Sequence, residues 1–375
     1  MKIADILMLG GIGSGKSSVL AAIFDQASII AQGIDLKISL DNATAVPLNQ
    51  NLTAIRSAFE AQEEIVEIDR FPNAPDKVIE YIFNVGRLHS PPDQKLRFND
   101  IAGEDFLKHP ERVVPVLSKC RAAILAVDVV EMMKGNTTSI SLDKKRNSPE
   151  MMYHYAQTWI EVLPDSPRLL VIVPIKTETW IRERNDLSEA AIRLNEREIN
   201  SKIKTLYKKT LDLFSKDDNK TAVVITPVQT VGNLVFNNYV ANAPDYPAEK
   251  WRKINGKSNY RQITNGYSPI DCDQPLRFIL NFYLIQAILA NRMQNKSWWD
   301  NFLESVVGGV DELFGSNLKK HYENIKNTFL DIVGGDSHLA YAIAKFSADI
   351  NTDFPFEVLQ GNNLLQRKTI LNYFT

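Results

Sequence analysis

The chain has 375 residues, of which 44% are hydrophobic and 23% are charged, as is usual for a globular protein with a sizeable core. Its two cysteines, Cys120 and Cys272, have no neighbouring partner, which argues against a disulfide scaffold or a zinc site and predicts a cytoplasmic protein. The net charge of −2 gives no general attraction for nucleic acid.

Strand-like and helix-like runs alternate from residue 2 to about residue 292. Apolar runs predict strands at 3–9, 78–85, 95–99, 122–127, 168–175 and 221–226. Helical spacing predicts helices at 17–30, 151–163, 187–215 and 273–292. This alternation predicts an α/β protein of three layers, with a mostly parallel sheet between two layers of helices.

Two apolar runs are candidate membrane or signal segments. The run at 3–9 contains Asp5 and leads straight into glycines, so it predicts a core strand and not a signal peptide. The longest run, 278–290, is interrupted by Asn281 and Gln286 and falls short of the roughly 20 residues that a membrane-spanning helix needs. We therefore expect no membrane span.

Three segments are longer than ordinary loops: 41–75, 134–149 and 231–269. We interpret them as the first, second and third insertions in a domain that covers residues 1–292. A helix is predicted at 52–64 within the first insertion. Insertions of this length are either functional surfaces or poorly ordered segments, and the sequence does not decide between the two.

The character of the chain changes after residue 292. Two helical patterns end in glycine pairs, Gly308-Gly309 and Gly334-Gly335, as helices often do. Residues 293–375 are therefore predicted to form a mostly helical C-terminal module.

A glycine-rich motif follows the first predicted strand: Gly10-Gly11-Ile12-Gly13-Ser14-Gly15-Lys16-Ser17, with Ser18 next in the following helix. It fits the phosphate-binding pattern G-x-x-x-x-G-K-[ST] at each fixed position. Glycines let backbone N–H groups converge on an anion, and the helix directs its positive end to the same point. Lys16 is expected to bridge the β- and γ-phosphates, while the Ser17 hydroxyl binds Mg²⁺.

A second motif, Asp100-Ile101-Ala102-Gly103-Glu104, directly follows the second strand of a predicted hairpin. With this motif the chain resembles the Ras-like, translation-factor-related class of P-loop GTPases. The resemblance implies that Asp100 binds Mg²⁺ through water and that the Gly103 N–H contacts the γ-phosphate. Within the class, the chain looks most like large bacterial GTPases with insertions that are encoded in conflict or signalling gene clusters.

The base-binding motif of the class, N-K-x-D or T-K-x-D, is only partly present, as Ile175-Lys176-Thr177-Glu178. The resemblance implies that Lys176 lies over the base and crosses the glycine loop. Glu178 has the two oxygens that guanine's N1 and N2 edge needs, on a longer stem than aspartate. Ile175 does not match the first position, and residues 226–229 lack the S-A-K pattern of the last base-contacting loop. Guanine is the expected base, and adenine remains an alternative.

The first-switch threonine of the class has no match, because residues 70–75 contain no hydroxyl. Thr44 and Thr53 lie further upstream and are the candidates for its replacement. For hydrolysis, Glu104 stands where many relatives carry the glutamine that orients water. Glu104 is either that group or a switch residue that is solvated or paired with an arginine, and His109 is the next candidate.

Two further residues concern activation by an arginine. Ile12 stands where relatives that accept an arginine finger carry glycine, so we expect activation without such a finger. Arg146 ends a Lys-Lys-Arg run, which we interpret as solvated, with a finger in cis as the alternative.

The sequence thus predicts a guanine-nucleotide switch that binds GTP or GDP with Mg²⁺, hydrolyses GTP slowly and acts on a protein partner. The alternatives are a P-loop ATPase or kinase, and a scaffold that binds nucleotide without turnover.

Overall fold

The computed structural model describes residues 2–34, 36–61, 63–67, 77–92, 94–134, 146–182, 188–217, 220–239, 249–254, 267–291, 357–360 and 363–365. The strands are β1 (Lys2–Leu9), β2 (Leu36–Leu40), β3 (Ile65–Glu67), β4 (Ile79–Arg87), β5 (Gln94–Asp100), β6 (Ala122–Asp128), β7 (Arg168–Ile175), β8 (Thr221–Ile225), β9 (Leu234–Tyr239), β10 (Glu249–Lys253), β11 (Glu357–Gln360) and β12 (Asn363–Leu365). The helices are α1 (Lys16–Gln32), α2 (Asn42–Glu60), α3 (Gly103–Lys108), α4 (Pro110–Leu117), α5 (Val129–Lys134), α6 (Pro149–Val162), α7 (Thr177–Arg182), α8 (Glu189–Leu206), α9 (Lys208–Ser215) and α10 (Gln274–Asn291).

Nine of the described strands form one sheet in the order β12-β11-β8-β7-β6-β1-β5-β4-β2. The five central strands, from β8 to β5, are parallel, and the outer strands pair antiparallel. The register sets Met8 beside Asp100 and Asp128 beside Ile175. The carboxyl ends of β1, β5, β6 and β7 therefore meet at one edge, where open α/β sheets bind ligands.

Side chains alternate between the two faces of the sheet, as the period of a strand requires. On one face, Ile6 and Met8 pack in a buried core with α1, α2 and α10. On the other face, Leu7 and Leu9 pack in a second core with α3, α4 and helices α6 to α9. Helices thus cover both faces, and the predicted α/β architecture with a mostly parallel sheet is confirmed.

The first and third insertions come together in a separate small sheet with the order β3-β10-β9. Both of its strand pairs are antiparallel. Its apolar face packs on Ile55 and Ala58 of α2 through Leu234 and Trp251. Lys253 donates to the carbonyl of Phe59, at 3.1 Å, and to that of Ala61, at the C-terminal end of α2. The described parts of these two insertions therefore pack together.

The other predicted strands and helices are confirmed within a few residues, with three corrections. The long helix at 187–215 is divided, because Tyr207 leaves helical geometry and its buried hydroxyl donates to the Asn147 carbonyl at 2.6 Å. The helix predicted at 52–64 begins at Asn42 instead, where Asp41 caps it by accepting from the Thr44 N–H at 2.8 Å. Strand β2 was missed, although its Leu-Lys-Ile-Ser-Leu alternation is a strand signal.

The described part of the predicted helical module is not helical. Strands β11 and β12 form a hairpin, and β11 pairs with β8 and extends the main sheet. The predicted helices at 293–356 and 366–375 lie outside the described residues. Among the helices that the structure describes, none combines the length and the apolar character needed to cross a bilayer.

Candidate functional site

The glycine loop (residues 10–17) joins the carboxyl end of β1 to the start of α1. Gly10, Gly13 and Gly15 have φ values of 141°, 67° and 93°, which side chains rarely adopt. A Cβ on Gly15 would lie 2.7 Å from Cδ1 of Ile175, so the loop and the base-binding motif are in close contact. Ile175 thus packs on the glycine loop, at the position where the resembled class has Asn or Thr.

Lys16 is folded back over this loop. Its side chain is buried, and its Nζ donates to the carbonyl oxygens of Gly10 at 2.9 Å and Gly11 at 3.3 Å. Burial lowers the pKa of Lys16, and the negative charge of Asp100 opposes this shift. Among the described residues, the hydrogen-bond partners of this desolvated ammonium group are two neutral carbonyls. Such a group is suited to bind an incoming anion.

Ser17 and Asp100 meet beside the loop. The Ser17 hydroxyl donates to Oδ2 of Asp100 at 2.9 Å, and Asp100 is fully buried at the end of β5. Hydroxyl and carboxylate oxygens suit Mg²⁺, which binds through one or two protein groups, phosphates and water. The described residues contain no cluster of three or more His, Cys, Asp or Glu side chains that would hold a metal by itself. The pair therefore fits Mg²⁺ that is shared with a phosphate ligand.

Tyr81 of β4 also belongs to this corner. Burial and the charge of Asp100 raise the pKa of Tyr81 to about 12, while a hydrogen bond with Ser17 opposes the rise. Thr44 and Thr53 do not join it. The Thr44 hydroxyl accepts from the Ile82 N–H at 2.7 Å, and Thr53 is exposed on α2. A tyrosine hydroxyl beside the Ser17–Asp100 pair thus comes from a strand that carries none of the motifs.

Gly103 lies directly against the glycine loop. A Cβ at this position would lie 2.4 Å from the Ile12 nitrogen and 2.6 Å from the Gly11 carbonyl carbon. Any side chain would therefore displace the backbone. The motif at 100–104 therefore contacts the glycine loop through Gly103, the residue whose N–H the resemblance assigns to the γ-phosphate.

The two candidates for hydrolysis lie just beyond this contact. Glu104 is the second residue of α3, its side chain is 41% exposed, and it pairs with Lys108 at 2.7 Å, one helical turn away. His109 directly follows α3, and its Nδ1 lies 3.1 Å from Oε1 of Glu111. Both side chains are engaged with neighbours of their own segment.

The base-side motif follows β7. Lys176 has φ of 59°, and its Nζ lies 3.4 Å from the Gly13 carbonyl, so its side chain crosses the glycine loop. Glu178 is fully buried, and its Oε1 accepts from the Val231 N–H at 2.7 Å. The Thr177 hydroxyl donates to the Val228 carbonyl at 2.7 Å. These bonds hold residues 228–231 against the base-side motif, so one oxygen of Glu178 already has a backbone partner.

Lys176 of this motif also belongs to a buried ion cluster, which is formed by Asp128, Arg146, Lys176 and Glu249. Lys176 donates to Oδ2 of Asp128 at 2.6 Å and to Oε1 of Glu249 at 2.8 Å. Arg146 donates to the same two oxygens at 3.0 and 2.5 Å. Two cations and two carboxylates thus share their contacts away from water.

Arg146 was expected to be solvated, and that expectation is wrong. The residue is fully buried, and its carbonyl accepts from the Gly11 N–H at 3.0 Å. Burial alone would lower the pKa of Arg146, but Glu249 and Asp128 raise it. Its partner Glu249 would have its pKa raised by burial, yet Lys176 and Arg146 lower it to about 2. Arg146 and Glu249 are therefore both charged at neutral pH.

Comparisons with known proteins give little beyond the fold. Neither protein-family models nor curated proteins match this chain. Among solved structures, it is similar to the GTP-bound GTPase-like domain of Ski7 from S. cerevisiae, with 14% identity and a TM-score of 0.32. The similarity covers 66% of this chain and 47% of that chain.

Proposed function

We propose that the protein is a guanine-nucleotide-binding switch that binds GTP with Mg²⁺ and hydrolyses it slowly to GDP and phosphate. The observation that supports this best is the 2.9 Å contact between Ser17 and Asp100, with Gly103 packed on the glycine loop. Two motifs that lie far apart in sequence meet where Mg²⁺ and a terminal phosphate are expected to bind.

The loop residues have distinct parts in this proposal. The backbone N–H groups of residues 13–18 and the positive end of α1 bind phosphate oxygens. Lys16 leaves its two carbonyl partners for the β- and γ-phosphates, a charge-assisted exchange that favours the bound state. Ser17 and Asp100 hold Mg²⁺, which neutralises phosphate charge when it is bound.

The base is proposed to bind between Lys176 and Glu178. The alkyl stem of Lys176 is available for stacking, because its ammonium group faces the ion cluster and Gly13. Glu178 offers a carboxylate to the guanine edge while it keeps its bond to the Val231 N–H. Guanine has two N–H donors for such a carboxylate, whereas the corresponding edge of adenine has an acceptor at N1, so the site favours guanine.

Binding without turnover is the second candidate, favoured by the ion pair between Glu104 and Lys108. A carboxylate held in that pair is not directed at water on a γ-phosphate. Single-turnover measurement of phosphate release from bound GTP separates the two candidates. Release that is faster than spontaneous hydrolysis, and is slowed in Glu104→Ala, supports the slow enzyme. No release supports the non-hydrolysing scaffold.

The nucleotide assignment is tested by calorimetric titration of GTP, GDP and ATP, with and without Mg²⁺. We expect guanine nucleotides to bind more tightly than ATP, and Mg²⁺ to strengthen GTP binding. Glu178→Gln keeps an acceptor for Val231 but removes the carboxylate, and should reduce guanine preference about tenfold or more. Glu161→Gln, which changes an exposed carboxylate of α6, is the control. Equal or tighter ATP binding by the wild type would favour the ATPase alternative.

A further inference from the structure

The second and third insertions each place a charged residue in the ion cluster. Arg146 comes from the second and Glu249 from the third, whereas Asp128 ends the central strand β6 and Lys176 directly follows the central strand β7. Trp251, next but one after Glu249, lies with its ring 5.9 Å from Nζ of Lys176. The insertions therefore reach the base-binding lysine itself.

Lys176 needs this support because its backbone is in the left-handed region, with φ of 59°. A residue other than glycine keeps such a conformation only where its surroundings hold it there. The surroundings of Lys176 are mainly electrostatic: two carboxylates at 2.6 and 2.8 Å and the Gly13 carbonyl at 3.4 Å. Glu178, two residues further on, takes its position from the same turn.

The four hydrogen-bonded side chains of the cluster carry two positive and two negative charges, and the charge of nearby Glu131 also acts on Arg146. Without Glu249, the hydrogen bonds that both cations donate to cluster carboxylates go to Asp128 alone, and the two cations repel each other at short range. Lys176 is the more mobile of the two, because its single ammonium group has a flexible stem, whereas the carbonyl of Arg146 is bonded to Gly11. Loss of Glu249 should therefore change the position of Lys176 first.

We propose that Glu249 and Arg146 are positioning residues for base recognition, which hold Lys176 across the glycine loop and so keep Glu178 aligned with the base. This inference rests on the proposed nucleotide-binding function and extends it, because it assigns the preference for guanine over adenine to charges from the insertions. The phosphate-binding groups of residues 13–17 contact neither side chain in the proposed arrangement, so phosphate binding is independent of them.

The test compares GDP, ADP and inorganic pyrophosphate, which has no base, on the full chain. In Glu249→Gln we expect the ratio of the ADP to the GDP dissociation constant to fall about tenfold, since one charged hydrogen bond is lost. The affinity for pyrophosphate should stay within about twofold of wild type, which is the scatter expected when no contact changes. Glu249→Asp, which keeps the charge on a shorter stem, should fall between the two proteins and covers the case in which Glu249→Gln does not fold.

Asp217→Asn is the matched control. Asp217 pairs with the fully buried Arg168 at the amino ends of β7 and β8, at the opposite edge of the sheet. This variant should be less stable, with an unchanged ADP-to-GDP ratio. An unchanged ratio in both Glu249 variants, or a parallel loss of GDP and pyrophosphate binding, would overturn the positioning role while the nucleotide-binding proposal stands. If wild type binds pyrophosphate but neither nucleotide, the proposed function is wrong and this inference with it.

Discussion

The glycine loop and the buried ion cluster lie side by side but are encoded in opposite ways. The loop is a run of consecutive residues whose conformation follows from glycines, a strand before it and a helix after it. The ion cluster joins residues 48 and 103 positions apart in sequence, in the pairs Lys176–Asp128 and Arg146–Glu249. The glycine loop can be identified in the sequence, whereas the ion cluster can be identified only in the folded structure.

The difference concerns energy as well as encoding. Lys16 is a desolvated cation whose function requires an anion that the protein itself does not supply, so its burial opposes stability. The ion cluster supplies its own counter-charges. A complete cluster contributes little net stability, but removal of one member should lower the free energy of unfolding much more than that contribution indicates. We therefore expect substitutions in the loop to affect mainly nucleotide affinity, and substitutions in the cluster to affect stability as well as the preference for guanine.

The largest effect is expected from Arg146→Met. This change leaves Asp128 and Glu249 to share one cation of the cluster, Lys176, so the cluster carries an excess of buried negative charge. The free energy of unfolding should fall by about 3–5 kcal/mol. Chemical denaturation of the variant and wild type provides the measurement.

The matched control is the double variant Arg146→Met and Glu249→Leu, which restores one cation to one carboxylate. It should recover a large part of the lost stability, because buried ion pairs are often replaceable by apolar groups. Additive losses from the two substitutions would contradict the description of these residues as one electrostatic unit.

Lys16→Ala should have the next largest effect, but on binding. Loss of the ammonium group removes its charge-assisted contact with the β-phosphate, which GDP and GTP share, so GDP affinity should fall about 100-fold. The stability of the nucleotide-free protein should be unchanged or higher, since the removed cation is desolvated. Titration with GDP and denaturation without nucleotide measure the two quantities. The exposed Lys37→Ala on β2 is the control, and unchanged GDP affinity in Lys16→Ala would count heavily against the assignment of the site.

What was predictable follows the same division. Continuous apolar runs predict buried strands such as β6 and β7, and the spacing of its glycines predicts the glycine loop. Both can be predicted because they are local patterns in the sequence. Arg146 was misinterpreted because a Lys-Lys-Arg run is usually solvated, and its partners come from distant segments. Glu249 stands in a polar stretch whose alternation is too short to mark strand β10, and no sequence signal distinguishes this glutamate from exposed ones.

Gly103→Ala tests the point at which a local motif depends on a long-range contact. The added Cβ would lie 2.4 Å from the Ile12 nitrogen, so α3 must move away from the loop. If the Gly103 N–H contacts the γ-phosphate, this movement should weaken GTP binding about tenfold and leave GDP, which lacks that phosphate, nearly unchanged. Gly33→Ala is the matched control, because Gly33 has helical φ of −68° and its Cβ would meet the Ile30 carbonyl at an ordinary 3.4 Å. An equal loss of GTP and GDP affinity in Gly103→Ala would mean that Gly103 supports the glycine loop but does not contact the γ-phosphate.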